Sequence, residues 1–304
     1  MIQPRPIPNL LNGVIVVAQL CCITLCIACC AREESWPWIA AIVPFAVAMN
    51  SVYFVIHEAE HGVLFSNRSL NHFTGTVLSL FMPASYTLLR RVHLAHHIHN
   101  RSDDETFDIY FETDPAWWKK LQFFGILTGG FWLTVVVGNL ILAVVPARLV
   151  VRTLRKDRQS ATLTQYMDRD NSWRIRVESW AVIALHAMIL IWLGSNAIRY
   201  MAMYALFGIT WSTLQYVHHY DTCRDVLRGA KNLRYGRLLD LLWLHHGWHL
   251  THHLHPTESW LYLPGIAASD EQPTESLGQA YVRMWRGPVL TTERVANTYE
   301  GNVG

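Results

Sequence analysis

The sequence predicts an all-α integral membrane protein: four transmembrane helices in two hairpins, a re-entrant or interfacial segment, and a histidine-rich cap on the cytoplasmic side. Of its 304 residues 51% are apolar and only 16% are charged, and mean hydropathy is positive. The apolar residues gather in runs as long as a bilayer is thick. Many of the 16 histidines fall at the ends of these runs, spaced so that several imidazoles share one helical face. The chain reads as a single membrane-embedded domain over 1–304, with no internal repeat and no low-complexity linker.

The first hairpin comes from two runs. Residues 10–31 are uncharged, Arg32-Glu33-Glu34-Ser35 make a short polar turn, and a second run covers 36–56 and stops at His57. The N-terminus is rich in proline and the first run has no small-residue cleavage site, so no cleavable signal is expected. Cys21, Cys22, Cys26, Cys29 and Cys30 lie in that run and Cys223 stands alone. Without paired CxxC spacing they read as small, soft hydrophobes rather than a thiolate site.

Residues 57–120 are polar apart from 73–89, an interfacial or buried helix interrupted by Pro83 and Ser85. Residues 121–147 are apolar again. The segment 148–176 carries eight basic residues (Arg148, Arg152, Arg155, Lys156, Arg158, Arg169, Arg174 and Arg176) against three acids. A short loop so basic belongs in the cytoplasm. With the histidines before it on that side as well, 121–147 is expected to enter and return on one face, bending at Gly125, Thr128, Gly129 and Gly130. Residues 177–193 and 197–217 form the second hairpin around Gly194-Ser195-Asn196, which returns to the cytoplasm at Gln215-Tyr-Val-His218-His219. The net charge of +2 argues neither for nor against nucleic acid, and no nucleic-acid partner is expected.

Three histidine groups recur on the cytoplasmic side: His57 and His61; His93, His96 and His97; His249, His252 and His253. The last lies in 245–256, which holds six histidines. Neutral imidazole is the commonest metal ligand. One of His218 or His219 brings the total to nine donors, too many for one ion of three or four ligands and suited to two. Imidazole serves zinc, copper, nickel and iron alike, so the count does not name the element.

Two other classes compete. His57-Glu58-Ala59-Glu60-His61 matches the H-E-x-x-H of zinc proteases, with Glu58 as general base, yet that chemistry leaves both HxxHH groups idle. A metal or haem carrier usually places its ligands near the bilayer midplane, whereas these lie at the ends of spans.

The trio His57-Glu-Ala-Glu-His61, His93-Leu-Ala-His96-His97 and His249-Leu-Thr-His252-His253 resembles the three histidine boxes of the membrane fatty acid desaturase and hydroxylase superfamily. Arg90-Arg91-Val92 before the second box, Asn100 after it, and Leu254-His255-Pro256 after the third are similar too. The resemblance covers roughly residues 35–265. It implies a membrane-bound di-iron oxidoreductase in which two iron ions (Fe2+) activate O2 and hydrogen is removed from an unactivated C–H bond of a lipid or fatty acyl substrate. Desaturation is the expected outcome; hydroxylation, ketolation and oxidative decarboxylation share the scaffold. The expected metal ligands are His57, His61, His93, His96, His97, His219, His249, His252 and His253. Gln215 stands where related desaturases carry an asparagine four residues before the additional histidine, so Gln215, His218 and His246 are possible further ligands.

Glu58, Glu60, Asp103, Asp104 and Asp108 are candidates to orient ligating imidazoles. His72, His99, His186 and His255 read as structural, and His245 as a further ligand, a supporting residue or a structural one. No dinucleotide fingerprint is present, so electrons must come from a separate ferredoxin, rubredoxin or cytochrome. Basic residues at 148–158 and 224–237 suit an acidic donor. The substrate chain is expected between the two hairpins, beside Trp36, Tyr53, Phe54, Trp211 and Tyr216. The membrane would be a bacterial inner membrane or the endoplasmic reticulum.

Overall fold

Long uncharged stretches leave a backbone no option in lipid but to satisfy itself as helix, and the chain does so. A computed structural model describes residues 5–154, 172–296 and 303. Arg155, Lys156, Arg158 and Arg169 of the basic loop lie outside the described residues. Helices α1 (Asn9–Cys30) and α2 (Trp36–Glu60) form the first hairpin. Near the start of α1 the Asn12 side-chain amide donates to the Leu64 carbonyl just past α2 (2.7 Å), pinning the two ends together. Large apolar side chains such as Leu10 and Val17 stay exposed on the outer face of α1, as expected of a surface that meets lipid.

The second hairpin is not separable from one long helix by hydropathy alone, because Ser172–Val217 is helical throughout. Side-chain contacts show the fold-back. His186 Nδ1 lies 2.8 Å from the Tyr200 hydroxyl, and the His186 ring 5.4 Å from that of Tyr204. In one straight helix residues 186 and 204 would be about 27 Å apart. Gly194, at φ +53°, opens the turn in a region that glycine enters without a Cβ penalty. After the short helix α7 (Ala147–Leu154), the arms are Ser172–Leu193, termed α8, and Ala197–Val217, termed α9. Phe45 meets Tyr204 at 5.0 Å between ring centres and Tyr53 meets Trp211 at 5.3 Å. The two contacts differ by one residue in offset, so α2 and α9 run parallel and end at the same level. That register carries His57 of α2 and His219 beyond α9 to one end of the bundle.

Between the hairpins, α5 (Ala116–Leu127) and α6 (Gly130–Val144) meet at 93°. The elbow is at Gly129, φ +91°, packed on Ile209. The bend thus falls at the expected glycines, as a right angle rather than a tight antiparallel turn. Phe123 of α5 touches Tyr220, Trp132 just past the elbow packs lower on α9 against Tyr204, Phe207 and Trp211, and Leu142 near the end of α6 packs with Ile175 at the start of α8. Both outer ends of the elbow therefore lie at the histidine end of the bundle.

The apolar stretch 73–89 is two helices, not one: α3 (Arg68–Ser79) and α4 (Tyr86–His99), broken at Pro83. Ser85 caps α4, and Glu178 of α8 accepts from the Ser85 hydroxyl (2.6 Å) and the Thr87 amide (2.8 Å). A carboxylate at a helix N-terminus is favoured by the helix dipole. It also fixes the helix that carries the second histidine group. The cap is completed by β1 (Ile109–Tyr110), β2 (Asn232–Arg234), β3 (Thr274–Ser276) and β4 (Val289–Leu290), with β1 parallel to β4 and β2 parallel to β3. The last histidine group opens the short helix α11 (His249–Leu254), which follows α10 (Arg237–Leu242). Asn232 of β2 accepts from the Thr251 amide (3.2 Å) and so fixes α11 to the β2–β3 pair.

Candidate metal centre

Helical spacing decides which imidazoles can meet. In each HxxHH group the i and i+4 side chains lie nearly above one another, while i+3 is turned aside. The structure uses that difference. His57, His61, His93, His97 and His252 form one cluster; His96, His219, His249 and His253 form a second. In each, every residue offers a ring nitrogen within 4.8 Å of the others. The second group gives its i, i+4 pair (His93, His97) to the five-membered cluster and its i+3 residue to the other. The third group does the reverse. The clusters adjoin, with the His97 and His253 rings stacked 4.3 Å apart.

Within the clusters Nε2 atoms face Nε2 atoms. His61 to His93 is 2.6 Å, His93 to His97 3.2 Å and His97 to His252 3.1 Å. His219 to His249 is 3.0 Å and His249 to His253 3.3 Å. Ligand nitrogens about 2.1 Å from a common ion are separated by similar distances. Burial holds His93, His97, His249, His252 and His253 well below the usual histidine pKa, and neighbouring imidazoles lower them further. They are therefore neutral, the form that binds metal. Close-packed ring nitrogens of neutral imidazoles are a donor set suited to a cation.

The far ring nitrogens show what orients the rings. Glu105 Oε1 takes His96 Nδ1 at 2.6 Å, the Gly229 carbonyl takes His219 Nδ1 at 2.9 Å, and the Val303 carbonyl takes His61 Nδ1 at 2.6 Å. A carbonyl only accepts, so Nδ1 of His61 and of His219 carries the proton and Nε2 is left free. Of the carboxylates expected from sequence proximity, Glu58 lies 3.9 Å from His57 Nδ1. Asp108 instead pairs with Arg101 (2.5 Å) and the Tyr216 hydroxyl (2.7 Å), and Asp103 with Arg224 (2.6 Å). Glu60 is fully buried, 4.0 Å from His93 Nδ1. Glu105 gave no signal beyond its nearness to the second group; Gly229 and Val303 gave none, since backbone carbonyls leave no mark in a sequence.

The three additional candidates lie outside both clusters. Gln215 donates to the Trp211 carbonyl (3.2 Å). His218 is held at both nitrogens, by the Lys231 carbonyl (3.2 Å) and the Tyr235 hydroxyl (2.5 Å). His246 stacks on Phe54 at 4.0 Å, with its ring 5.1 Å from His57 and 4.9 Å from His249. Leu244 and His245 just before it both have positive φ, +51° and +52°. Such backbone is uncommon for non-glycine residues and marks a constrained site. Asp240 clamps this turn through His245 Nδ1 (2.6 Å).

His186 and His72 are structural, bonded to Tyr200 and Tyr86, and His255 lies near Asp270. Of the aromatics expected along the substrate, Tyr53 and Trp211 are buried where α2 meets α9, and Phe54 is buried against Trp243 and His246. Trp36 is 71% exposed at the far end of α2, and Tyr216 belongs to the Asp108–Arg101 network. Glu58 accepts from the Trp260 amide (3.0 Å). His93, His97 and His252 join His57 and His61 in one five-membered cluster, more imidazoles than the H-E-x-x-H pair of a single-zinc protease supplies.

Fold and site together define a class: an α-helical membrane protein with two adjoining polyhistidine clusters at one end of its bundle. Residues 35–287 match the family model described as fatty acid desaturase, and the chain belongs to that family. Membership implies an oxidoreductase with a lipid substrate. No match is found among curated proteins.

Proposed function

We propose that this protein oxidises an unactivated C–H bond in a lipid acyl chain using O2 and two iron ions, and that the outcome is desaturation. The observation that carries the proposal is the pair of adjoining imidazole clusters, five and four, in a chain of the fatty acid desaturase family. His57, His61, His93, His97 and His252 hold one iron. His96, His219, His249 and His253 hold the other. Bound iron supplies O2 activation and hydrogen removal. The chain's own groups hold three of the ligands by their far ring nitrogen: Glu105 at His96, the Gly229 carbonyl at His219 and the Val303 carbonyl at His61. Buried Tyr53, Phe54 and Trp211 exclude water from the seam through which the acyl chain reaches the irons.

The chain forms a single domain that crosses the membrane four times, through α1, α2, α8 and α9. The elbow of α5 and α6 is re-entrant, since both its ends lie at the histidine end. The clusters face the cytoplasm, where a separate electron-transfer protein docks. Metal analysis of purified protein tests the proposal together with lipid profiling of cells expressing wild type or His253→Ala. About two irons per chain, one for each cluster, and a new double bond that only the wild type makes are expected. One zinc per chain and unchanged lipids would sink it.

A further inference from the structure

The seam between α2 and α9 is apolar except at a few places, and at those places polar atoms have no partner. Tyr53, 8% exposed and edge-on to Trp211, makes no hydrogen bond through its hydroxyl among the described residues. Trp211, 2% exposed, has a buried indole Nε1 with no acceptor. One turn before Tyr53 on α2, Asn50 is 1% exposed; its amide nitrogen donates to Ala46 and Thr210, while its Oδ1 has no donor. At the cluster end His246 is only half-buried, and no hydrogen bond engages its ring among the described residues. The constrained Leu244-His245 turn holds that ring over the gap between the clusters, close to both His57 and His249.

Buried polar atoms such as Trp211 Nε1 and Asn50 Oδ1 are almost always hydrogen-bonded, and each exception calls for an explanation; the Tyr53 hydroxyl and the half-buried His246 ring add free hydrogen-bonding groups that a ligand can still reach. A saturated hydrocarbon chain gives these atoms nothing to bond. A ligand bearing its own oxygen or nitrogen supplies what is missing. Selectivity built on buried hydrogen-bonding groups is strong, because a ligand lacking the partner leaves them unpaired.

We infer that the unpartnered Tyr53 hydroxyl, carried one helical turn before His57, and the His246 imidazole beside His57 select a lipid carrying a hydrogen-bonding group, such as a hydroxyl, close to the C–H bond that reacts. The inference rests on the proposed metal site, since the clusters define where reaction occurs. His246 is a substrate-binding residue and not a tenth ligand.

The test uses isothermal titration of full-length, iron-loaded protein in lipid nanodiscs with octadecanoic acid and the positional series of its monohydroxy derivatives. One hydroxyl position should bind about tenfold more tightly than the parent acid, as expected for one or two well-formed hydrogen bonds. Tyr53→Phe and His246→Phe should each erode that preference while leaving iron per chain unchanged. A flat series, including no binding by any member, overturns the inference. So does a preference that both variants retain, or loss of iron in His246→Phe. Iron content of the wild type is read separately; a value well below two fails the metal assignment, whereas a flat series at full iron content fails only the substrate inference.

Discussion

His96 and His97 are consecutive in the chain, yet their imidazoles enter different clusters, with ring centres 5.7 Å apart and planes at 67°. His252 and His253 divide in the same way. Consecutive residues on a helix diverge by about 100°, so each HxxHH group necessarily reaches two places. Two such helices set against one another enclose two sites that share a wall.

His97 stands at the centre of the five-membered cluster, 3.2 Å from His93 and 3.1 Å from His252. His97→Ala should lower iron from about two per chain to about one and abolish lipid oxidation. His219→Ala should do the same at the other cluster. Metal analysis after desalting reads both, and a variant that keeps its full iron content contradicts the ligand assignment.

Glu105 holds only the far side of His96. Glu105→Ala should therefore weaken metal at the four-membered cluster about 10- to 100-fold, the usual cost of losing such an outer partner. Competition with a chelator measures it. Equal retention of iron by variant and wild type would show that Glu105 is a bystander.

His218 is satisfied by Tyr235 and Lys231, so His218→Ala should leave iron content unchanged while lowering thermal stability. Removing one member of a buried hydrogen-bonded pair costs about 1–3 kcal/mol. Loss of one iron equivalent would instead make His218 the ligand in place of His219.

Arg101 pairs in the interior with Asp108, and the Tyr216 hydroxyl bonds to both. Arg101→Ala leaves a buried carboxylate uncompensated and should destabilise the protein by about 3–5 kcal/mol. Tyr216→Phe keeps the ion pair and should cost about 1 kcal/mol. Denaturation followed in detergent should rank the two clearly, and the reverse order would contradict the network.

Gly208 lies against Trp132 where α9 meets α6, and a Cβ there would overlap the indole. Gly208→Ala should cost about 1–3 kcal/mol as an overpacked contact, without changing iron content. Undiminished stability would mean that α6 adjusts freely beside α9.

The apolar runs and the three histidine groups were legible in the sequence because lipid and helical periodicity each impose a pattern on neighbouring residues. Periodicity could not divide 73–89 into α3 and α4, since the break at Pro83 is a matter of local backbone geometry. Nor could it choose His219 over His218. That choice rests on a tyrosine 17 residues downstream of His218, brought near by the path of the chain after α9.

Residue order alone determined that this is a helical membrane protein rich in metal donors, because hydrophobic length and helical spacing are local properties. Only the tertiary structure decided how nine imidazoles divide into five and four, which backbone carbonyls and which carboxylate orient them, and where His246 points. Those outcomes depend on the parallel register of α2 with α9 and on helices far apart in sequence meeting at one end. Nothing in a linear pattern encodes the distance between them.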